Sequence, residues 1–113
     1  MERSPAVYLM TSGFHGTLYT GVTSNLLQRV AQHREETFGG FTRRYEVKRL
    51  VWFEMWGSME AAITREKQVK KWRREWKVAL VERDNPLWRD LAEELGFEPL
   101  IVRRKVDPGS SPG

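Results

Sequence analysis

Apolar and polar positions change period along this chain, and each change marks an element. Ala6–Met10 and Leu18–Val22 are short, apolar, β-favouring runs separated by Thr11-Ser12-Gly13-Phe14-His15-Gly16-Thr17, a segment rich in turn formers, so they predict a β-hairpin. With the loop centred on Gly13 and Phe14, Tyr8 falls opposite Tyr19, and residues directly opposite in an antiparallel pair share a face. The period then becomes helical from Asn25 to about Glu36, with Thr23 or Ser24 as cap and Leu26, Leu27, Val30 and Ala31 as the apolar stripe. Arg29 and His33 stack one turn apart at the rim of that stripe, where both can reach the hairpin. Thr37–Tyr45, with adjacent Gly39 and Gly40, reads as a loop. Leu50–Phe53 is a continuous apolar run and is expected to form a third strand at the centre of the sheet.

Ser58 caps the next helix, with Glu60 in its first turn, where the helix dipole favours a negative charge. Its inward seam includes Met59, Ala62, Ile63 and Val69, and Glu66 falls between Ala62 and Ile63 on the wheel. A carboxylate in such a seam is costly unless it is paired, hydrogen-bonded or bound to a metal. Trp72, Trp76, Val78, Leu80 and Val81 continue a helical pattern, with or without a break, to Asp84-Asn85-Pro86. Pro86 then opens a last helix, about Leu87–Leu95, closed by Gly96. The expected architecture is α+β in one domain spanning 5–96, followed by a C-terminal tail, 97–113, disordered from about Arg103.

Charge sharpens this picture. The 113 residues carry 19 Lys and Arg against 15 Asp and Glu, a net charge of +4. The excess concentrates between Thr42 and Arg74, where Arg43, Arg44, Lys48, Arg49, Arg65, Lys67, Lys70, Lys71, Arg73 and Arg74 face only Glu46, Glu54, Glu60 and Glu66. Such a surface attracts phosphate backbones and releases their counterions, although a solvated helix face kept for solubility has the same composition. There is no cysteine, which excludes disulfides and thiolate metal sites. The N-terminal residues lack the apolar length of a signal peptide, and no later run approaches the ~20 residues of a membrane span. A soluble cytoplasmic protein without a membrane partner is expected.

Tyr8, Tyr19, Arg29, His33 and Glu66 are residue types that could together cut a phosphodiester. Glu66 offers an oxygen to Mg²⁺ or Mn²⁺, and Mg²⁺ keeps several waters and needs only one or two carboxylates. Arg29 can donate two parallel hydrogen bonds to a phosphate. His33 titrates near neutrality when unperturbed and can accept a proton from a tyrosine or a water. The tyrosines can orient water or relay protons. Singly, each has a plainer reading: core tyrosines with wet hydroxyls, a surface Arg and His, and a Glu paired with Arg29 or a lysine.

Taken in order, Ala6-Val7-Tyr8, Leu18-Tyr19-Thr20-Gly21-Val22-Thr23, Arg29 and His33, Arg65-Glu66-Lys67-Gln68-Val69-Lys70-Lys71-Trp72 and Asn85-Pro86-Leu87-Trp88 resemble the GIY-YIG nuclease superfamily, most nearly its small standalone bacterial members. The resemblance implies a three-stranded antiparallel sheet flanked by helices and metal-dependent endonucleolytic cleavage of DNA. By position it makes Tyr8 and Tyr19 the motif tyrosines, Gly21 the motif glycine, Arg29 the phosphate-binding arginine, His33 the helix histidine and Glu66 the metal ligand. Asn85 becomes an accessory position. Ala6-Val7 and Thr20 depart from the motif triplets but leave the tyrosines intact. Val22 stands where some relatives have a lysine that could assist tyrosine, so His33 would have to serve, as in structure-specific repair nucleases of the superfamily.

The expected function is therefore a Mg²⁺- or Mn²⁺-dependent DNA endonuclease that prefers DNA shape and acts in DNA repair or processing. Duplex contacts are assigned to the basic run Arg65–Lys77 and the Phe41–Tyr45 loop, chiefly Arg43, Arg44, Lys67, Lys70, Lys71, Arg73 and Arg74. The alternatives are a DNA- or RNA-binding module without turnover, and a domain whose tryptophans dock a protein.

Overall fold

The computed structural model describes residues 4–35, 40 and 44–100. The tail from Arg103 and most of the expected Thr37–Tyr45 loop, Arg43 included, lie outside these residues. Among those described, the elements are β1 (Ala6–Thr11), β2 (Leu18–Thr23), α1 (Leu26–Arg34), β3 (Arg49–Met55), α2 (Met59–Lys70), α3 (Arg74–Asp84) and a short 3-10 helix (Leu91–Leu95). The strands form one antiparallel sheet in the order β2-β1-β3.

β1, not β3, is the central strand. Every residue of β1 is buried, whereas β3 grades from buried Leu50–Trp52 to exposed Met55. An unbroken apolar run reports burial on both faces, and helices covering an edge strand produce that as well as a central position does. On one face Ala6, Tyr8 and Met10 pack with Leu26 and Val30 of α1, Leu50 and Ala92. On the other, Val7 and Leu9 pack with Val51, Trp52, Ala62 and Val69 of α2, and Leu80 and Val81 of α3. The sheet thus carries apolar packing on both sides.

Local hydrogen bonds set the hairpin register. Thr11 Oγ1 donates to the Gly13 carbonyl at 2.7 Å, Ser12 Oγ accepts from Thr17 N at 3.0 Å, and Gly16 N donates to the Gly13 carbonyl at 2.9 Å. These bonds hold Ser12–Thr17 as the loop, so Tyr8 pairs with Gly21 and Tyr19 with Met10. The tyrosines are diagonal rather than opposite. A register offset by two residues preserves the face, so they still project from the same side.

Asn25 caps α1, its side chain accepting from Gln28 N at 3.2 Å, while Thr23 Oγ1 accepts from Asn25 N at 3.0 Å and braces the cap. The buried line of α1 is Leu26, Val30 and His33; Leu27 is exposed, so the stripe is rotated from its expected position and takes in the histidine. Ser58 caps α2 as expected, accepting from Ala61 N at 3.1 Å. A break at Lys71–Arg73 separates α2 from α3 and leaves Trp76 exposed against Trp72, ring centroids 6.1 Å apart.

The last helix is shorter than Pro86 suggests. Asn85 folds 85–89 into a closed turn: its Oδ1 accepts from Arg89 N at 2.9 Å, and its Nδ2 donates to the carbonyls of Arg89 at 2.9 Å and Val51 at 3.1 Å. Trp88 takes φ 57°, which no helix passes through. Asp90 caps the 3-10 helix, accepting from Ala92 N and from Leu50 N of β3, each at 3.1 Å, while Arg34 of α1 pairs with its other oxygen at 3.1 Å. Gly96, at φ 104°, closes the helix in the left-handed conformation expected of a C-terminal glycine. No helix among the described residues is long and apolar enough to cross a membrane.

Candidate functional site

Register and a missing Cβ together build the site. Gly21 lies opposite Tyr8, and a Cβ placed on it would fall 2.4 Å from both Cζ and the hydroxyl oxygen of Tyr8. The absence of that carbon lets the phenol lie across β2 with its hydroxyl carried toward the outer edge of the sheet. Gly21→Ala should therefore displace Tyr8 or strain the sheet, lowering stability by about 1–3 kcal/mol. Chemical denaturation measures this, and an unchanged midpoint would show that the ring can move freely.

At that edge the Tyr8 hydroxyl lies 3.1 Å from His33 Nε2, both groups buried. Tyr19 closes the cluster: its ring centroid is 6.3 Å from that of Tyr8 and 5.5 Å from that of His33. Arg29 hydrogen-bonds the Tyr8 side chain. The guanidinium can only donate, so the phenol oxygen accepts from it; the phenol can donate its own proton to Nε2 in the tautomer that carries the imidazole proton on Nδ1. His33 is deeper than the rim position its spacing suggested.

Burial, then the charge of Arg29, lowers the His33 pKa to about 4. Burial raises the Tyr8 pKa well above the usual tyrosine range; the charges of Tyr19 and Glu66 add to this, while Arg29 opposes it by charge and hydrogen bond. At neutral pH the pair is a phenol and a neutral imidazole. The histidine then reports on stability. An unfolded histidine protonates near 6.5 and the folded one only near 4, so the unfolded state binds the extra proton between those values. Stability is retained above pH ~6.5 and falls by up to about 3 kcal/mol as pH drops through the folded pKa. Urea unfolding of wild type and His33→Gln across pH 7 to 4 checks this: the wild-type loss should shrink in the variant.

Glu66 arrives from α2, which packs against β2 and β1 and buries Ala62, Glu66 and Val69. Its carboxylate is close enough to oppose ionisation of Tyr8. Lys70, one turn along, pairs with it at 3.3 Å. Tyr8, Tyr19, Gly21, Arg29, His33 and Glu66 thus converge at the β2 edge from α1 on one face and α2 on the other.

Asn85 does not join them. It is buried beside β3, on the far side of β1 from β2, and the bonds of the 85–89 turn occupy both ends of its amide. Of the expected duplex contacts, Arg44, Lys67, Lys70, Lys71, Arg73 and Arg74 are exposed. Arg74 is also structural, Nη2 donating to the carbonyls of His15 and Gly16 at 2.9 Å each. Arg44 lies over Tyr45 and Arg73 over Trp76. Lys77, the last residue of the basic run that begins at Arg65, lines with Lys70 a cavity beside Leu18, Tyr19 and Thr20.

Among the described residues no group of three or more His, Asp or Glu is gathered to hold a metal. The buried carboxylate of Glu66 nevertheless fits a hard divalent ion that keeps most of its waters.

The fold and this edge cluster define a nuclease-type domain. A model of the GIY-YIG catalytic domain matches residues 4–79, and the chain belongs to that family. Its relatives include UPF0213 proteins. One from Haloquadratum walsbyi is 36% identical over 66 residues, 58% of this chain and 74% of the relative. Another, from Natronomonas pharaonis, is 40% identical over 65 residues, 58% and 76% of the two chains. The solution NMR structure of a UPF0213 protein from Bacillus halodurans aligns at a TM-score of 0.49 and 26% identity, covering 84% of this chain and 99% of the other.

Proposed function

We propose that the protein is a divalent-metal-dependent DNA endonuclease and that Tyr8, Tyr19, Arg29, His33 and Glu66 form its catalytic site. The observation that carries this is the buried Tyr8 hydroxyl 3.1 Å from His33 Nε2, with Arg29 on the same hydroxyl. A proton given up by an attacking water can pass to the Tyr8 oxygen while the phenol proton passes to Nε2, so the pair gains one proton and neither group is left as a buried phenolate. Arg29 and Tyr19 would hold the scissile phosphate. Glu66 would hold a Mg²⁺ or Mn²⁺ ion, which when bound supplies positive charge to the oxygens of the reacting phosphate.

The exposed cations are spread over α2, its break and the start of α3 rather than along one helix face shaped for a groove. That distribution favours recognition of backbone shape over base sequence, and with such a preference the activity would serve DNA repair or processing. The test is cleavage of labelled linear, nicked, flapped and branched DNAs, and of matched RNAs, with Mg²⁺, Mn²⁺ or chelator. Metal-dependent cutting of DNA with a structural preference is expected. Salt-sensitive binding without cutting of any substrate would instead identify a recognition module.

A further inference from the structure

β2 is an edge strand, and an edge presents backbone groups outward. Against its first half lies a cavity of about 270 Å³ lined by Leu18, Tyr19, Thr20, Lys70 and Lys77. Tyr19 therefore belongs both to the catalytic cluster and to this cavity. Lys70 does too, because it lines the cavity and pairs with Glu66 at 3.3 Å.

Resting on the nuclease reading above, we propose that this cavity is a second phosphate site, for the phosphodiester next to the scissile one, and that its occupant draws Lys70 away from Glu66 so that strand binding frees the metal-ligating carboxylate. The cations here are crowded. Burial, then the charges of Lys70 and Arg74, lowers the Lys77 pKa, and an anion would relieve that repulsion. Lys70 is free to move, its side chain 60% exposed while that of Glu66 is 11% exposed. An ion pair of this kind between residues one turn apart is weak and readily exchanged for a phosphate contact. While Lys70 stays on Glu66, its charge competes with a metal cation for the same oxygens. Strand and metal should therefore promote each other's binding, by the same factor in each direction.

The test measures binding rather than turnover. Mn²⁺ affinity is followed by EPR with and without a short single-stranded DNA, and DNA affinity is followed by fluorescence anisotropy in chelator, for wild type, Lys70→Met, Lys77→Met and Glu66→Gln. DNA is expected to tighten Mn²⁺ binding about two- to threefold in wild type. Lys70→Met should bind Mn²⁺ about two- to threefold tighter without DNA and show no further tightening. Lys77→Met should weaken DNA binding and reduce the salt slope by about one phosphate contact. Mn²⁺ affinity indifferent to DNA in wild type, or a DNA salt slope unchanged in Lys77→Met, overturns the proposal and leaves the nuclease reading standing. Mn²⁺ binding unaltered by Glu66→Gln would instead remove that reading.

Discussion

Glu66→Gln should leave the protein folded and lower metal-dependent DNA cleavage by about 10³-fold or more. Glutamine matches the carboxylate in shape, so Ala62 and Val69 of the same buried line keep their packing. The exchange removes one negative charge and one strong oxygen donor, and hard divalent ions bind amide oxygens more weakly than carboxylates. It also ends the ion pair with Lys70, which costs only a few tenths of a kcal/mol at a partly exposed site. Stability and activity should therefore separate: an unfolding midpoint close to wild type, with cleavage nearly abolished. Should both fall together, Glu66 is a structural carboxylate paired with Lys70.

Tyr8→Phe should be nearly as damaging for a different reason. The ring is retained, so the phenyl group still fills the space over Gly21 and the packing on Met10 and Val30 survives. Loss of the hydroxyl takes away the atom shared by Arg29 and His33 Nε2. A proton relay severed at one link typically loses 10²–10⁴-fold in rate, and that range is expected here. Stability should fall by about 1–2 kcal/mol, because a buried imidazole nitrogen loses its partner. The metal requirement should be unchanged, since Glu66 is untouched. Retention of more than about a tenth of wild-type rate would mean that Tyr8 serves packing alone.

Much of this arrangement was readable in the sequence because it depends on short-range geometry. Glu66 in the seam of α2 and Arg29 with His33 on one line of α1 follow from helical periodicity, and the hairpin follows from turn composition. Parity alone put Tyr8 and Tyr19 on one face, and that survived a register offset of two residues. The register itself depended on which loop atoms bond one another, Ser12 with Thr17 and Thr11 with Gly13. Gly21 acquired its physical meaning only with that register, as the residue beneath the Tyr8 ring. The central place of β1 was hidden because β3 is equally apolar where helices cover it. Pro86 signalled a helix start, but Asn85 and the positive φ of Trp88 made a turn, which pairwise spacing does not reveal. The depth of His33 depended on the direction in which α1 meets the sheet.

The most direct test is single-turnover cleavage of one labelled branched DNA by wild type, Tyr8→Phe, Glu66→Gln and the double variant, each with Mg²⁺ and with chelator. If these residues act as one site, wild type cuts only with metal and the double variant is about as slow as the slower single variant, because groups that act as a unit are far from additive. Cleavage by wild type that persists in chelator, or losses that simply multiply in the double variant, would contradict a single metal-dependent site at the β2 edge.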